Sequence, residues 1–252
     1  MFTNYILIAY RTLIKNKTYS LINILGLAIS LTATILLLLW VWDELSFDRF
    51  NQKVDRIYTA VSSFDKDRKQ VWPVTPAPLA TFAKQQIPAV ENAARVLDNS
   101  DILMQYDDKK FSEKRTAYAD PSLFRIFSFP MVAGSAAKPF DDNRSILISE
   151  TTAKKYFGND NAIGRIIKVN NKDNFTVTGI FKDMPMNSSV RYDVVMPFAI
   201  LNERYIQNGA TGGIDADWGE YDYNTFFLVK PGTNAALLGK QLADLHRKNQ
   251  QK

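Results

Sequence analysis

The stretch TYSLINILGLAISLTATILLLLWVW, residues 18–42, decides the architecture because none of its residues carries a charge. A helix of this length is roughly 37 Å long, which exceeds the roughly 30 Å hydrocarbon core of a bilayer. Tyr19 stands near one end, and Trp40 and Trp42 stand at the other. Aromatic rings are typical of both membrane interfaces. The sequence therefore predicts a transmembrane helix over residues 18–42.

Two other interpretations of this stretch are less suitable. The apolar region of a cleavable signal peptide covers about 7–15 residues and ends in small residues. This one is longer and continues through Trp42 into Asp43 and Glu44. A buried helix of a soluble core is the second alternative, but such helices rarely remain uncharged for seven turns. We therefore expect a membrane anchor.

The charge of the chain is concentrated at its beginning. The formal net charge is +5, and residues 1–42 supply three of these charges through Arg11, Lys15 and Lys17, without an acidic residue. The long remainder is therefore almost neutral, and it lacks the dense basic stripe with interleaved aromatic rings that nucleic-acid binding requires. We expect no nucleic-acid partner.

The positive charges on the two sides of the predicted span give only a small preference for its orientation. Lys15 and Lys17 precede the span, whereas Arg49, Lys53 and Arg56 follow it within a comparable distance. Long domains also cross the membrane largely regardless of charge. The flanks favour a cytoplasmic N-terminus without deciding it.

Residues 1–17 have the pattern of an amphipathic segment. Its apolar residues share one helical face, opposite Asn4, Arg11 and Lys15. These apolar residues are Phe2, Tyr5, Ile6, Ala9, Leu13 and Ile14. The pattern indicates a helix at the membrane interface. A frayed tail or the first turns of one longer helix remain alternatives.

Small residues share one face of the predicted span. Gly26, Ser30, Ala33 and Thr34 follow helical spacing, and small residues allow helix backbones to approach closely in lipid. We expect this face to pack against other membrane helices. The alternative is that small residues are simply common in such spans.

The region after the span mixes strand and helix patterns, which predicts an α+β domain. Residues 56–63 alternate like a strand, residues 79–87 have an amphipathic helical pattern, and residues 93–98 form a second strand. This order suggests a βαβ-type unit. The aromatic-rich stretch 118–134 is interpreted as core packing rather than as a ligand pocket.

Local signals are clearest in the middle of the domain. Ser145–Ser149 is predicted as a strand, and Ser149 as the N-cap of a helix that ends before Gly158. Residues 165–181 are predicted as a β-hairpin with a turn at residues 170–173. A strand at 226–229 and a helix from about 234 to 248 complete the pattern.

The sequence offers no chemical site. The chain has no cysteine, its one Gly-Lys pair at Gly239 lacks the spacing of a phosphate-binding loop, and His246 is predicted to be exposed on the last helix. Four acidic residues stand together in a glycine-containing loop that is interpreted as solvated and mobile: Asp215, Asp217, Glu220 and Asp222. We expect no catalytic, cofactor-binding or metal-binding residues, no cofactor and no enzymatic activity. A membrane-tethered hydrolase would lack a nucleophile–base pair.

Four motifs together resemble one protein family. They are DELSFDRFNQKVDRIYTA at residues 43–60, ARV at 94–96, YADPSLFRIFSFPMVAG at 118–134 and SILISETTAKKYFGNDNAIGRIIKVNNKDNFTVTGIFKDMPMNSS at 145–189. In order and spacing the chain is similar to the MacB/FtsX-like family of ABC transporter permeases, specifically to its MacB-type periplasmic core domain.

The resemblance implies a domain organisation that composition alone does not give. Residues 1–17 are expected to be a cytoplasmic amphipathic segment, and residues 18–42 the transmembrane helix. Residues 43–139 would form the first half of a periplasmic porter-like α/β part. An inserted β-rich, sabre-like subdomain would occupy residues 140–197, and residues 198–252 would return to the porter-like part.

The resemblance also implies a function. We expect a permease subunit of an ABC-type efflux or mechanotransmission complex in the bacterial inner membrane, crossing it once in this chain. The expected partners are a separate cytoplasmic ABC ATPase, membrane lipid, a second permease subunit in a homodimer or pair, and a periplasmic protein. Because family members continue into further membrane helices, the chain is expected to be a fragment of a permease. The alternative is a single-span sensor or scaffold whose periplasmic domain binds a partner or ligand.

Overall fold

The computed structural model describes residues 2–63, 70–99 and 101–250. The chain divides into two compact units, Met1–Phe47 and Asp48–Lys252.

The first unit consists of two helices, α1 (Phe2–Lys15) and α2 (Lys17–Ser46). Asn16 separates them because its backbone leaves the helical region, with φ −109° and ψ 54°. The Ser20 hydroxyl donates a hydrogen bond of 3.0 Å to the Leu13 carbonyl oxygen across this break. The amphipathic segment is therefore a helix of its own, rather than the first turns of one longer helix.

Helix α2 contains the whole predicted span and extends one turn beyond it. None of its residues is buried in its own unit or elsewhere. The hydroxyls of Thr32 and Thr34 donate to the carbonyl oxygens of Ala28 and Ser30, so these polar groups are satisfied within the helix. By length and composition α2 is able to cross a membrane.

The second unit mixes strands and helices, so the predicted α+β class is confirmed. Its strands are β1 (Ile57–Thr59), β2 (Ser62–Ser63), β3 (Val71–Trp72), β4 (Val90–Asn99), β5 (Ile102–Tyr106), β6 (Lys109–Glu113), β7 (Thr116–Ala119), β8 (Met131–Ala133), β9 (Ser145–Ser149), β10 (Ile166–Val169), β11 (Asp173–Phe181), β12 (Val194–Pro197) and β13 (Asn224–Val229). Its helices are α3 (Pro78–Gln86), α4 (Leu123–Ile126), α5 (Glu150–Phe157), α6 (Ala199–Gln207) and α7 (Ala235–Gln250), with 3-10 turns at Val54–Arg56 and Ile214–Ala216.

Within the described residues, eleven strands form one mixed sheet in the order β1-β13-β4-β7-β12-β9-β11-β10-β5-β6, with β8 beside β11. Strands β2 and β3 form a separate hairpin. Strands β1 and β4 both run antiparallel to β13, which lies between them. The predicted βαβ-type unit is therefore split, because the last strand of the chain fills the gap between its two strands.

The central strands are buried on both faces. Every residue of β9 (SILIS) and of β12 (VVMP) is buried, which is why both segments are nearly continuous apolar runs. Ile146 and Ile148 point to one face, and Leu147 points to the other. The core therefore has two layers, one on each side of the sheet.

Different elements of the chain cover the two faces of the sheet. The aromatic-rich stretch and α4 cover one face, where Phe124, Phe127 and Phe129 are buried together. Helices α3, α5, α6 and α7 cover the other face in neighbouring clusters. The interpretation of residues 118–134 as core packing is confirmed.

Several predicted elements are confirmed with their boundaries. Strand β9 and helix α5 have the predicted bounds, and the Thr152 N–H donates to the Ser149 hydroxyl oxygen at 3.2 Å as an N-cap bond. The hairpin of β10 and β11 turns through Asn170 and Asn171, both with positive φ, a conformation that asparagine tolerates well. Strands β5, β6, β7 and β12 and helix α6 were not predicted from the sequence.

Candidate functional site

The segment that follows α2 is fixed to a distant loop by Asp48. The backbone N–H of Asp48 donates to the Asn187 carbonyl oxygen at 2.9 Å. Its carboxylate accepts hydrogen bonds from the Ser189 backbone N–H at 2.9 Å and from the Ser189 hydroxyl. Asp48 has φ 58°, a left-handed conformation that aspartate adopts more readily than most residues. The loop it holds, residues 182–191, connects β11 to β12.

A second set of contacts fixes the same segment to the aromatic layer. Asn51 is 2% exposed, and its side chain accepts from the Ser128 N–H at 3.0 Å while donating to the Asp48 carbonyl oxygen at 3.1 Å. The Gln52 N–H donates to the Ser128 hydroxyl oxygen at 3.0 Å. Lys53 Nζ donates to the Arg125 carbonyl oxygen at 3.0 Å.

Together these contacts form what we call the clamp, which joins residues 48–53 to residues 187–189 and to residues 125–128. Most of these bonds have a backbone group on one side, so a displacement of residues 48–53 acts on both loops. One loop leads into the buried strand β12, and the other belongs to the aromatic layer beneath the sheet. Val190, at the end of the first of these loops, is buried with Phe124, Phe127 and Phe129, so the clamp connects the first residues of the domain to one layer of its core at two points.

A partly buried ionic cluster lies elsewhere in the domain, centred on Arg95 of β4. Its guanidinium group makes two hydrogen bonds to Asp120, of 2.8 and 3.0 Å, and a third to Asp215. It also stacks on Phe198 with 4.2 Å between the guanidinium carbon and the ring centre. Burial alone would lower the pKa of Arg95, but Asp120 and Asp215 raise it above its ordinary value. Arg95 therefore remains charged and joins three separate segments.

Two cavities adjoin these features. One of about 310 Å³ lies beside the Arg95 cluster and is lined in part by Asp141, Asn143 and Asn202. The other, of about 670 Å³, is a shallow groove beside the clamp, lined in part by Lys53 and Phe129. Both are lined by residues already engaged in packing or hydrogen bonds.

The interpretation of the acidic loop as solvated is wrong for Asp215 and Asp217. Asp215 accepts hydrogen bonds from Arg95 and from the Thr81 hydroxyl, and Asp217 accepts from the Tyr205 hydroxyl and the Gly219 N–H. The bond from Tyr205 lowers the pKa of Asp217. Asp215 and Asp217 are thus tied into the domain, and the donors to Asp215 stand more than 100 positions away in the sequence, whereas Asp222 is exposed.

The prediction that His246 is exposed is also wrong. Its ring is half-buried, 5.7 Å from the ring centre of Trp218, and its Nε2 lies 2.8 Å from the Tyr221 hydroxyl. Burial lowers the pKa of His246 below its ordinary value. The ring helps to hold α7 against residues 218–221.

Over residues 2–63, 70–99 and 101–250, no group of three or more His, Cys, Asp or Glu side chains is arranged to hold a metal ion. The polar clusters of the domain join segments that are distant in the sequence, and Arg95, Asp120 and Asp215 also line the cavity of about 310 Å³. Sequence reasoning missed both the clamp and the Arg95 cluster. No local signal connects Asp48 to residues 187–189, or Arg95 to Asp215.

Comparison with known proteins agrees with the motifs. A family model described as the MacB-like periplasmic core domain matches residues 20–245. No curated protein matches the chain.

Solved structures share the fold. A domain of a putative permease from Porphyromonas gingivalis has 23% identity and a TM-score of 0.65, over 79% of this chain and 86% of that one. The periplasmic region of MacB from Actinobacillus actinomycetemcomitans has 15% identity and a TM-score of 0.56, over 77% and 83%. The extracellular domain of the noncanonic ABC-type transporter YknZ from Gram-positive bacteria has 15% identity and a TM-score of 0.54, over 78% and 94%. At these identities the likeness concerns the fold alone, whereas the family model spans most of the sequence: the chain belongs to the MacB-like periplasmic core domain family.

Proposed function

We propose that this chain is a permease subunit of an ABC-type efflux or mechanotransmission complex. In this proposal α2 crosses the bacterial inner membrane once, residues 1–17 lie in the cytoplasm, and the second unit lies in the periplasm. A separate cytoplasmic ATPase hydrolyses ATP and moves the membrane helices. The chain then couples that movement to the periplasmic domain without a catalytic residue or cofactor of its own.

The clamp is the observation that carries this proposal. A flexible linker after α2 would absorb movement of the helix, whereas residues 48–53 are hydrogen-bonded to two loops of the domain core. A movement that reaches Asp48 is therefore passed to residues 187–189 and 125–128. Transmission through packed, hydrogen-bonded elements is one of the recognised ways in which a local shift becomes a larger rearrangement.

The proposal includes the division of the domain. The strands within residues 140–197 are neighbours in the sheet, in the order β12-β9-β11-β10. Their contiguity supports an inserted, sabre-like subdomain between the porter-like residues 43–139 and 198–252. The hairpin β5–β6 extends that part of the sheet beyond β10.

An insertion that lengthens the connection tests the coupling. Four Gly/Ser residues inserted between Phe47 and Asp48 would leave both units intact but would uncouple the helix from the clamp. The measurement is nucleotide-dependent association with the cognate ATPase and the ATPase rate, after co-purification with the complete permease. We expect the nucleotide-dependent association with the ATPase to persist. The influence of the periplasmic domain on the ATPase rate should be lost.

The same insertion after Gly209, in an exposed turn behind α6, is the matched control and should retain the response. If a complete permease shows no nucleotide-dependent association with any candidate ATPase, the proposal fails.

A single-span sensor or scaffold is the second candidate function. Its favourable observation is the cavity of about 310 Å³ beside Arg95, which would then hold the ligand.

A further inference from the structure

The surface around the clamp carries positive charges without acidic partners. Arg49, Lys53, Lys182 and Arg191 have no carboxylate within ion-pair distance in the described part of the chain. The two carboxylates on the same segments are already engaged: Asp48 by Ser189, and Asp183 by the Thr151 hydroxyl and N–H. Segments 48–53 and 182–191 therefore present a net positive surface.

Met186 lies on the 182–191 segment, beside Arg191. It is 78% exposed, more than any other large apolar side chain described in the second unit. Its sulfur lies 3.1 Å from the guanidinium Nη2 of Arg191. An exposed, flexible apolar side chain among long cations is the composition of a segment that rests on a lipid surface, where apolar groups enter the headgroup layer and cations contact phosphates.

The covalent connection between the apolar helix and this loop is short. Asp48 follows Ser46, the last residue of α2, by two positions, and two residues cover at most about 7 Å. The 182–191 loop is hydrogen-bonded to Asp48. With α2 across a bilayer, this short connection keeps the loop within reach of the headgroups.

We propose that the 182–191 loop docks on an anionic lipid surface. Met186 enters the boundary between headgroups and acyl chains, and Arg49, Lys182 and Arg191 face the lipid phosphates. This inference rests on the proposed membrane anchoring of α2. Asp43 and Glu44, in the last turns of α2, carry the opposite charge, so the preference for anionic lipid is the decisive measurement.

The experiment uses the whole chain, which has no natural cysteine. Met186→Cys is labelled with a fluorophore in nanodiscs of phosphatidylcholine alone or mixed with phosphatidylglycerol, each containing a headgroup-depth quencher lipid. We expect at least threefold stronger quenching in the anionic nanodiscs. Ile166→Cys, an aliphatic position on β10 that is also more than half exposed, is the matched control and should show weak quenching in both.

A second variant keeps the label at position 186 and reverses two charges, Arg49→Glu with Lys182→Glu. Its quenching should fall to the level of the control. Equal quenching at positions 186 and 166 would overturn the inference. So would quenching at position 186 that does not depend on lipid charge and disappears when each nanodisc contains one copy of the chain, because a second copy would then cover the loop. A chain that does not remain in nanodiscs at all would instead refute the anchoring.

Discussion

The two units of the chain use the same residue types in opposite ways. Leu36–Leu39 in α2 are each more than 60% exposed, whereas Ile146, Leu147 and Ile148 in β9 are fully buried. Burial of apolar surface is worth about 25 cal/mol per Å², so the second unit gains its stability internally. The exposed apolar side chains of the first unit contribute to stability only where an apolar environment outside the chain replaces water. The difference teaches that the two units respond to different perturbations.

The largest expected effect comes from adding charges to α2. Arginine at the centre of a span costs about 2.5–3.5 kcal/mol, so Leu31→Arg together with Ile35→Arg should cost about 5–7 kcal/mol of insertion free energy. The eight Leu and four Ile of residues 18–42 contribute about 4–7 kcal/mol in favour of insertion, so this loss is comparable to their whole gain. Alkaline carbonate extraction should release the double variant from membranes. Lys17→Arg together with Thr18→Arg, at the end of the helix, is the control and should leave the chain membrane-bound.

The second prediction concerns the Arg95 cluster. Arg95→Met leaves Asp120 poorly solvated without its partner, which should reduce the free energy of unfolding by about 3 kcal/mol. Urea denaturation followed by tryptophan fluorescence measures it, and membrane insertion should not change. Arg115→Met, which removes an exposed ion pair with Asp193, should cost about 0.5 kcal/mol. Equal losses of unfolding free energy in the two variants would show that the Arg95 cluster stabilises the domain no more than an exposed ion pair does.

The third prediction concerns the clamp. Asn51→Ala removes the partners of the Ser128 N–H and the Asp48 carbonyl oxygen, so we expect a loss of about 2 kcal/mol. Hydrogen exchange should become faster at residues 48–53 and 125–128 before it changes elsewhere. Asn224→Ala, whose side chain donates to Asp98 at the surface, is the control and should leave the exchange at the clamp unchanged.

The smallest effect concerns His246. Because its pKa is lowered in the folded state, the unfolded chain binds the proton more readily. The stability that the neutral ring contributes is therefore present above about pH 6.5, the ordinary pKa of histidine, and is lost as the pH falls through the lower folded pKa. Melting temperatures at pH 7.5 and 5.5 should differ more for the natural chain than for His246→Gln. An identical pH dependence in both would contradict the burial argument.

Local signals explain what sequence reasoning could predict. Ser149, the helical pattern after it and Gly158 stand within ten residues, so strand β9, its N-cap and helix α5 follow from the sequence. The apolar span is equally local. The apolar side chains are exposed all around α2, as a sequence without a polar helical face predicts.

The rest depends on contacts between distant residues. The acidic loop contains no cation, and the partner of Asp215 lies on β4, 120 positions earlier. The environment of His246 depends on Trp218 and Tyr221, which no helical pattern within α7 brings near. The clamp joins residues about 140 positions apart. None of these pairings has a local signature, so only the folded sheet reveals them.

The position of β13 has a consequence for synthesis. Because Asn224–Val229 fills the gap between Ile57–Thr59 and Val90–Asn99, both of these strands have an unsatisfied edge until the ribosome has made nearly the whole domain. A nascent chain arrested before residue 224 keeps these edges open to neighbouring polypeptides, which favours aggregation. Closure of this part of the sheet is therefore a late event in the synthesis of the domain.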